Sequence, residues 1–179
     1  QLGDGRLMVP MTVQTRCRPS KPVSISEAIL KSFIYTSSDD GKTWSSLSEF
    51  TDHSPEPHLL ELPSGKIVAS VRYERDKLPE DLPALGGAYY EMPSQRDKSI
   101  TGGPTAIGRR VFQHTAFTFS EDGGRNWSTP RLLTGASAQT GCLVRLSDGT
   151  LVLIFGRTGQ YFMLSYDEGK TWSKAVYQL

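Results

Sequence analysis

Two arginines stand at nearly the same distance from a glycine in a turn. Arg72 follows Gly65 by seven residues, and Arg157 follows Gly149 by eight. A third such glycine, Gly5, is followed at looser offsets of eleven and thirteen by Arg16 and Arg18. Guanidinium groups gathered at one place repel one another unless an anion lies between them. Their planar, always-charged fork matches both oxygens of a carboxylate. The chemistry on offer is therefore the grip of a carboxylate. The competing reading is surface arginines paired with Glu74, Asp76 or Glu80. Glu56 lies sixteen residues before Arg72, and Asp52 and His53 share its loop as candidate ligand contacts.

These residues need a scaffold, and the chain repeats one. The pattern S-x-D-x-G-x-x-W occurs at Ser37–Trp44, Ser120–Trp127 and Ser165–Trp172. A second pattern, Leu-x-x-Gly, occurs at Leu2–Gly5, Leu62–Gly65 and Leu146–Gly149, each leading into an apolar run. From octet tryptophan to the next Leu-x-x-Gly leucine is 18 and then 19 residues. From turn glycine to octet serine is 32, 55 and 16 residues, so one half of the repeat is fixed and the other carries insertions. Leu-x-x-Gly between apolar runs signals a hairpin. The runs Phe33–Tyr35, Phe117–Phe119 and Tyr161–Met163 favour strands. No window has a convincing helical period; residues 23–30 are the only weak candidate. Each unit then holds four strands: A and B around the Leu-x-x-Gly turn, C and D around the octet. Units of this size with four antiparallel strands are propeller blades. The boundaries fall at 1–48 for a partial blade, 55–134 for a blade with an insertion at 76–108, and 138–179 for a third blade. Eleven strands are expected, with all octets on one face.

Composition narrows the function classes. The chain has 179 residues, 37% hydrophobic and 22% charged, as in an ordinary folded protein. Twenty basic residues against nineteen acidic ones exclude a nucleic-acid binder driven by bulk charge. No apolar run approaches the length of a membrane-spanning helix. Cys17 and Cys142 are too far apart in sequence for a metal or redox motif, and a disulfide framework is excluded. No metal or other cofactor is implied. No charged-then-apolar leader is present. Three blades cannot close a ring, so the sequence reads as part of a longer protein, and open blade flanks predict self-association of this piece.

The octets resemble the Asp-box, or BNR repeat, of the sialidase (neuraminidase) superfamily. The resemblance implies an all-β, six-bladed β-propeller with about half of it present, and covers nearly all the chain except residues 76–108. In an up-and-down blade the octets and Leu-x-x-Gly turns share one face. The variable B–C loops lie on the other face, where sites are usually built. The octets are therefore read as folding staples. The segment from Glu56 to Arg72 resembles the element in which sialidases place a glutamate before strand A and an arginine at the end of strand B. By that resemblance Glu56 is the base that polarises a tyrosine nucleophile, Arg72 is one of three arginines gripping the sialic acid carboxylate, and Arg157 matches the last of the three. A neutral tyrosine suits a substrate whose anomeric carbon carries a carboxylate, which would repel an anionic nucleophile.

Two departures stand out. Only 22 residues follow Arg157, and Tyr166 and Tyr177 lie within or beyond the last octet, away from the mouth. Nothing in residues 1–55 matches the family's first arginine or its acid/base aspartate. The chain alone is therefore expected to be inactive. His58 and His114 fall on strands A and C as core or interface residues. The insertion, rich in proline and glycine, is read as a flap over the mouth, with Tyr89 and Tyr90 stacking on sugar rings. The expected function is part of an exo-acting, retaining, metal-free glycoside hydrolase releasing sialic acid or a similar acidic sugar from glycoconjugates. The alternatives are a non-catalytic propeller binding acidic glycans, and a propeller hydrolase or lyase acting on another acidic polysaccharide. The family resemblance favours a secreted or periplasmic location.

Overall fold

A computed structural model describes residues 1–14, 30–50, 55–76, 89–92, 109–133, 141–156, 160–173 and 177–178. The described residues form three sheets and no helix, and every strand pairing is antiparallel. The first sheet is β1 (Leu7–Gln14), β2 (Leu30–Ser37) and β3 (Ser45–Glu49), in that order. The second contains β4 (His58–Glu61), β5 (Ile67–Asp76), β6 (Tyr89–Met92), β7 (Arg109–Ser120) and β8 (Arg131–Leu132). Its order is β4-β5-β7, with β6 and β8 both on the outer edge of β7. The third runs in sequence order through β9 (Cys142–Arg145), β10 (Leu151–Phe155), β11 (Tyr161–Ser165) and β12 (Tyr177–Gln178). These are blades, the first with three strands. The helix candidate at 23–30 lies outside the described residues, except Leu30, which begins β2.

The strand tally differs from expectation by β6, inside the insertion. β5 and β7 are ten and twelve residues long, against five for β10 and β11, and their ladder runs from Ile67↔Ser120 to Asp76↔Val111. β8 covers the outer edge of β7 only at Ala116 and Phe117. The extended end of that edge needs hydrogen-bond partners, and β6 supplies them at Arg109–Phe112. Tyr89 and Tyr90 are therefore strand residues, not loop residues.

The second residue after each Leu-x-x-Gly glycine faces an octet serine across the sheet: Leu7↔Ser37, Ile67↔Ser120 and Leu151↔Ser165. All three octets thus share one face with the three turns. Each octet is built by its own side chains. The serine hydroxyl donates to the aspartate at 2.7–2.9 Å and accepts the glycine N–H at 2.9 Å. The aspartate accepts the N–H four residues on, from Thr43, Asn126 and Thr171. These bonds hold the three carboxyls at about 2, through the hydroxyl of Thr43 for Asp39, the backbone N–H of Asn126 for Asp122 and the hydroxyl of Thr171 for Asp167.

The octets also join blades. Trp127 packs on Phe50 of the first sheet, ring centroids 4.5 Å apart, and Trp172 on Phe117 of the second at 5.4 Å. Ser48 donates to the Gly124 carbonyl at 2.6 Å. Arg131 donates to the Gly169 and Lys170 carbonyls, both at 2.7 Å. A Cβ on Gly169 (φ +84) would lie 2.2 Å from the Phe117 ring, so glycine answers to the turn and to the neighbouring blade together. The apolar cores lie between blades. Ile34, Phe50, Ala69, Val71 and Ala116 fill the first seam. Val68, Phe117, Leu143, Leu153 and Met163 are among those filling the second. β5 is buried on both faces because its alternate residues enter different seams. Among the described residues nothing packs on the corresponding Trp44 face of the first sheet as Phe50 and Phe117 do on the other octet tryptophans, and Trp44 is exposed.

Candidate functional site

The β4–β5 hairpin explains the sixteen-residue spacing of Glu56 and Arg72. Its ladder pairs His58 with Ser70. Two more residues on each strand bring Glu56 opposite Arg72, at the end of the blade away from the octets. The Arg72 N–H donates to the Pro55 carbonyl at 3.2 Å, continuing the pairing irregularly. Nη1 of Arg72 lies 3.4 Å from both carboxylate oxygens of Glu56. One nitrogen faces two oxygens, so this is a loose contact and not a fork-to-fork pair. The Arg72 side chain is 15% exposed and that of Glu56 49%. A mostly buried cation beside a carboxylate open to solvent can attract a second anion while the carboxylate stays available to accept a proton.

Glu56 has φ +55, a left-handed conformation uncommon for a residue with a side chain. Its N–H donates to Thr12 Oγ1 at 3.0 Å, across the seam from β1. Thr12 Oγ1 lies 2.9 Å from Ser32 Oγ, its cross-strand partner on β2, and Ser32 is fully buried. Sequence reasoning missed Thr12 and Ser32. The signal was present: Thr12 follows Gly5 by seven residues, the offset of Arg72 from Gly65.

Of the residues expected at the mouth, the structure brings Glu56 and Arg72 together. Asp52, His53, Arg157, Arg16 and Arg18 lie outside the described residues. By register the counterpart of Arg72 in the third blade is Gly156, one residue before Arg157; its φ of 153° is one that residues with side chains rarely adopt. Tyr89 and Tyr90 pair with Phe112 and Val111 at the extended end of β7, which continues beyond Arg72 away from the octets.

The two described histidines, His58 and His114, take structural places. His114 is buried on β7. His58 joins the second and third blades: its Nδ1 accepts the Leu143 N–H at 3.2 Å, and its Nε2 lies 3.6 Å from Cys142 Sγ. Burial lowers its pKa. The accepted N–H assigns the proton of the neutral ring to Nε2. Cys142 is free and exposed. On the octet face, a cavity of about 360 Å³ is lined by Arg145, Asp148, Tyr166 and Glu168 among others. Tyr166 therefore sits on the face opposite Arg72. Among the described residues no three His, Cys, Asp or Glu side chains gather as a metal-binding group.

No protein-family model matches the sequence, and neither does any curated protein. Solved structures do match. A Dyadobacter fermentans protein of unknown function is 18% identical with a TM-score of 0.68, covering 97% of this chain and 51% of its own. The NanB sialidase from Streptococcus pneumoniae is 14% identical with a TM-score of 0.60, covering 99% of this chain and 43% of its own. An α-L-arabinanase from Penicillium chrysogenum is 18% identical with a TM-score of 0.55, covering 98% of this chain and 45% of its own. The chain thus spans about half the length of these structures, and its fold is that of a sialidase-type β-propeller.

Proposed function

We propose that this chain is part of a glycoside hydrolase of the sialidase kind, and that Arg72 and Glu56 meet an acidic sugar at the mouth of the propeller. The observation that carries the proposal is the pairing of a mostly buried arginine with a half-exposed glutamate, opposite the octet face of a fold shared with a sialidase. The Arg72 guanidinium takes the carboxylate of the incoming sugar and orients the ring. That second anion competes for Nη1 and frees the Glu56 carboxylate. Glu56 then accepts the proton of a neutral tyrosine hydroxyl as the tyrosine oxygen bonds to the anomeric carbon and the glycosidic C–O bond breaks, the leaving oxygen taking its proton from an aspartate acid. That tyrosine and the aspartate acid come from chain beyond this piece. Arg157 is the last of the three arginines of the grip, and Asp52, His53, Tyr89 and Tyr90 contact the rest of the sugar.

The test is a titration of the chain with N-acetylneuraminic acid and with its methyl ester, followed by NMR. The acid is expected to bind and the ester to bind at least about tenfold more weakly, as a lost charge-assisted bond requires. Arg72→Ala should abolish the difference, and Arg72→Lys should restore little of it. In the complete enzyme Arg72→Ala should lower kcat/KM by about 30-fold to several thousand-fold, since a desolvated charged pair is worth roughly 2–5 kcal/mol. Equal binding of acid and ester contradicts the carboxylate grip. Sialidase turnover by this chain alone contradicts the placement of the nucleophile and acid outside it.

A further inference from the structure

We infer that Thr12 is a positioning residue for Glu56, acting across the seam between the first two blades; this rests on the reading of Glu56 and Arg72 as the ligand-contacting pair. Three observations converge. Glu56 holds a left-handed backbone, φ +55, that a residue with a side chain adopts only where its surroundings enforce it. The enforcing bonds come from outside its loop: Thr12 Oγ1 takes the Glu56 N–H at 3.0 Å, and the Arg72 N–H holds the preceding Pro55 carbonyl at 3.2 Å. Behind Thr12, the fully buried Ser32 lies 2.9 Å from the same hydroxyl.

The hydrogen-bond inventory orients this chain of groups. An N–H can only donate, so Thr12 Oγ1 accepts from Glu56 with one lone pair, and its hydrogen and second lone pair both remain for the bond with Ser32 Oγ, in which either hydroxyl can donate. In either direction the buried Ser32 hydroxyl anchors Thr12 Oγ1 where it meets the Glu56 N–H. Thr12 stands at the register position that Arg72 holds in the next blade, so the same depth of two neighbouring B strands presents the two clamps on one loop. The backbone of residues 55 and 56 is fixed from both sides, and the Glu56 carboxylate projects from it against Nη1 of Arg72. Without the Thr12 hydroxyl, the loop can relax to an ordinary backbone and carry the carboxylate away from the guanidinium.

The experiment compares Thr12→Val, which keeps the shape and removes the hydroxyl, with Thr12→Ser, which restores it. Two readouts are taken on the whole chain: amide hydrogen exchange at Glu56 and affinity for N-acetylneuraminic acid. Exchange at Ile34 and Ala116, in the adjoining core, checks that the blades remain docked. Thr12→Val should speed exchange at Glu56 by roughly 3- to 10-fold, the worth of one hydrogen bond, and weaken sugar binding by a similar factor. Thr12→Ser should stay within about twofold of the native chain in both, because the acceptor is retained. Unchanged Glu56 exchange in Thr12→Val overturns the clamp, and faster exchange with unchanged affinity overturns its positioning role. If the native chain binds no sugar, the ligand-contacting reading fails, while the exchange data still decide whether Thr12 holds Glu56.

Discussion

At the scale of single residues, the chain separates groups that face the mouth from groups that hold blades together, and His58 belongs to the second kind. Its Nδ1 accepts a backbone N–H from the next blade, a bond that only the unprotonated nitrogen can make. Burial lowers its pKa below that of the unfolded chain. As pH falls through the unfolded value of about 6.5, the unfolded chain takes up a proton that the folded chain resists. The contribution of His58 is thus fully present above that pH and is lost progressively below it. The thermal midpoint should fall between pH 7.5 and 5.5, and His58→Gln should flatten that part of the pH profile. An unaltered slope in the variant would assign the pH dependence to other groups. Residue chemistry was only partly legible in the sequence. Glu56 and Arg72 could be paired because one hairpin of fixed length joins them. Thr12 was marked only by its seven-residue offset from Gly5; its partner comes from a different blade and its side chain carries no charge to draw attention.

At the scale of elements, the octet is both a turn and a joint. Its internal bonds involve residues within eight positions, which is why S-x-D-x-G-x-x-W could be read as a local structure. Its external bonds, from Ser48 and Arg131 to octet carbonyls, depend on how two sheets meet and leave no pattern in sequence. β6 was illegible for a related reason: residues 76–108 have the composition of a loop, and the strand forms because β7 extends and offers an unpaired edge. The double duty of octet glycine can be measured. Gly65 and Gly169 have nearly the same positive φ, +82 and +84, but a Cβ on Gly65 meets open space and one on Gly169 meets the Phe117 ring at 2.2 Å. Gly65→Ala should cost about 1–2 kcal/mol for the left-handed backbone alone. Gly169→Ala adds overpacking of roughly 1–3 kcal/mol. Chemical denaturation checks the pair; equal losses would show that the octet glycine answers to the turn only.

At the scale of the whole molecule, each seam joins one blade's tryptophan face to the opposite face of its neighbour. Among the described residues, the first and third sheets each have one face that is not packed in such a seam. On the first sheet Val9, Met11, Val13 and Trp44 are 39–51% exposed, and on the third sheet Val144 and Leu146 are 40% and 45% exposed. Apolar patches gathered in this way mark contact surfaces. We propose that the isolated chain associates with itself through these faces. Light scattering should show dimers or larger species, and Trp44→Lys should shift them toward monomer. A monodisperse native monomer at high micromolar concentration would contradict this.

The two faces of the molecule also offer a choice of where a sugar sits. The cavity on the octet face has Arg145 but also Asp148 and Glu168, whose charges oppose an anionic ligand. The mouth face has Arg72 mostly buried beside the half-exposed Glu56 carboxylate. The decisive measurement is a crystal structure of the chain soaked with N-acetylneuraminic acid. The account predicts the sugar carboxylate within hydrogen-bonding distance of the Arg72 guanidinium, on the side of the blades away from the octets. Sugar bound in the octet-face cavity beside Tyr166, with the Arg72–Glu56 contact undisturbed, would contradict it.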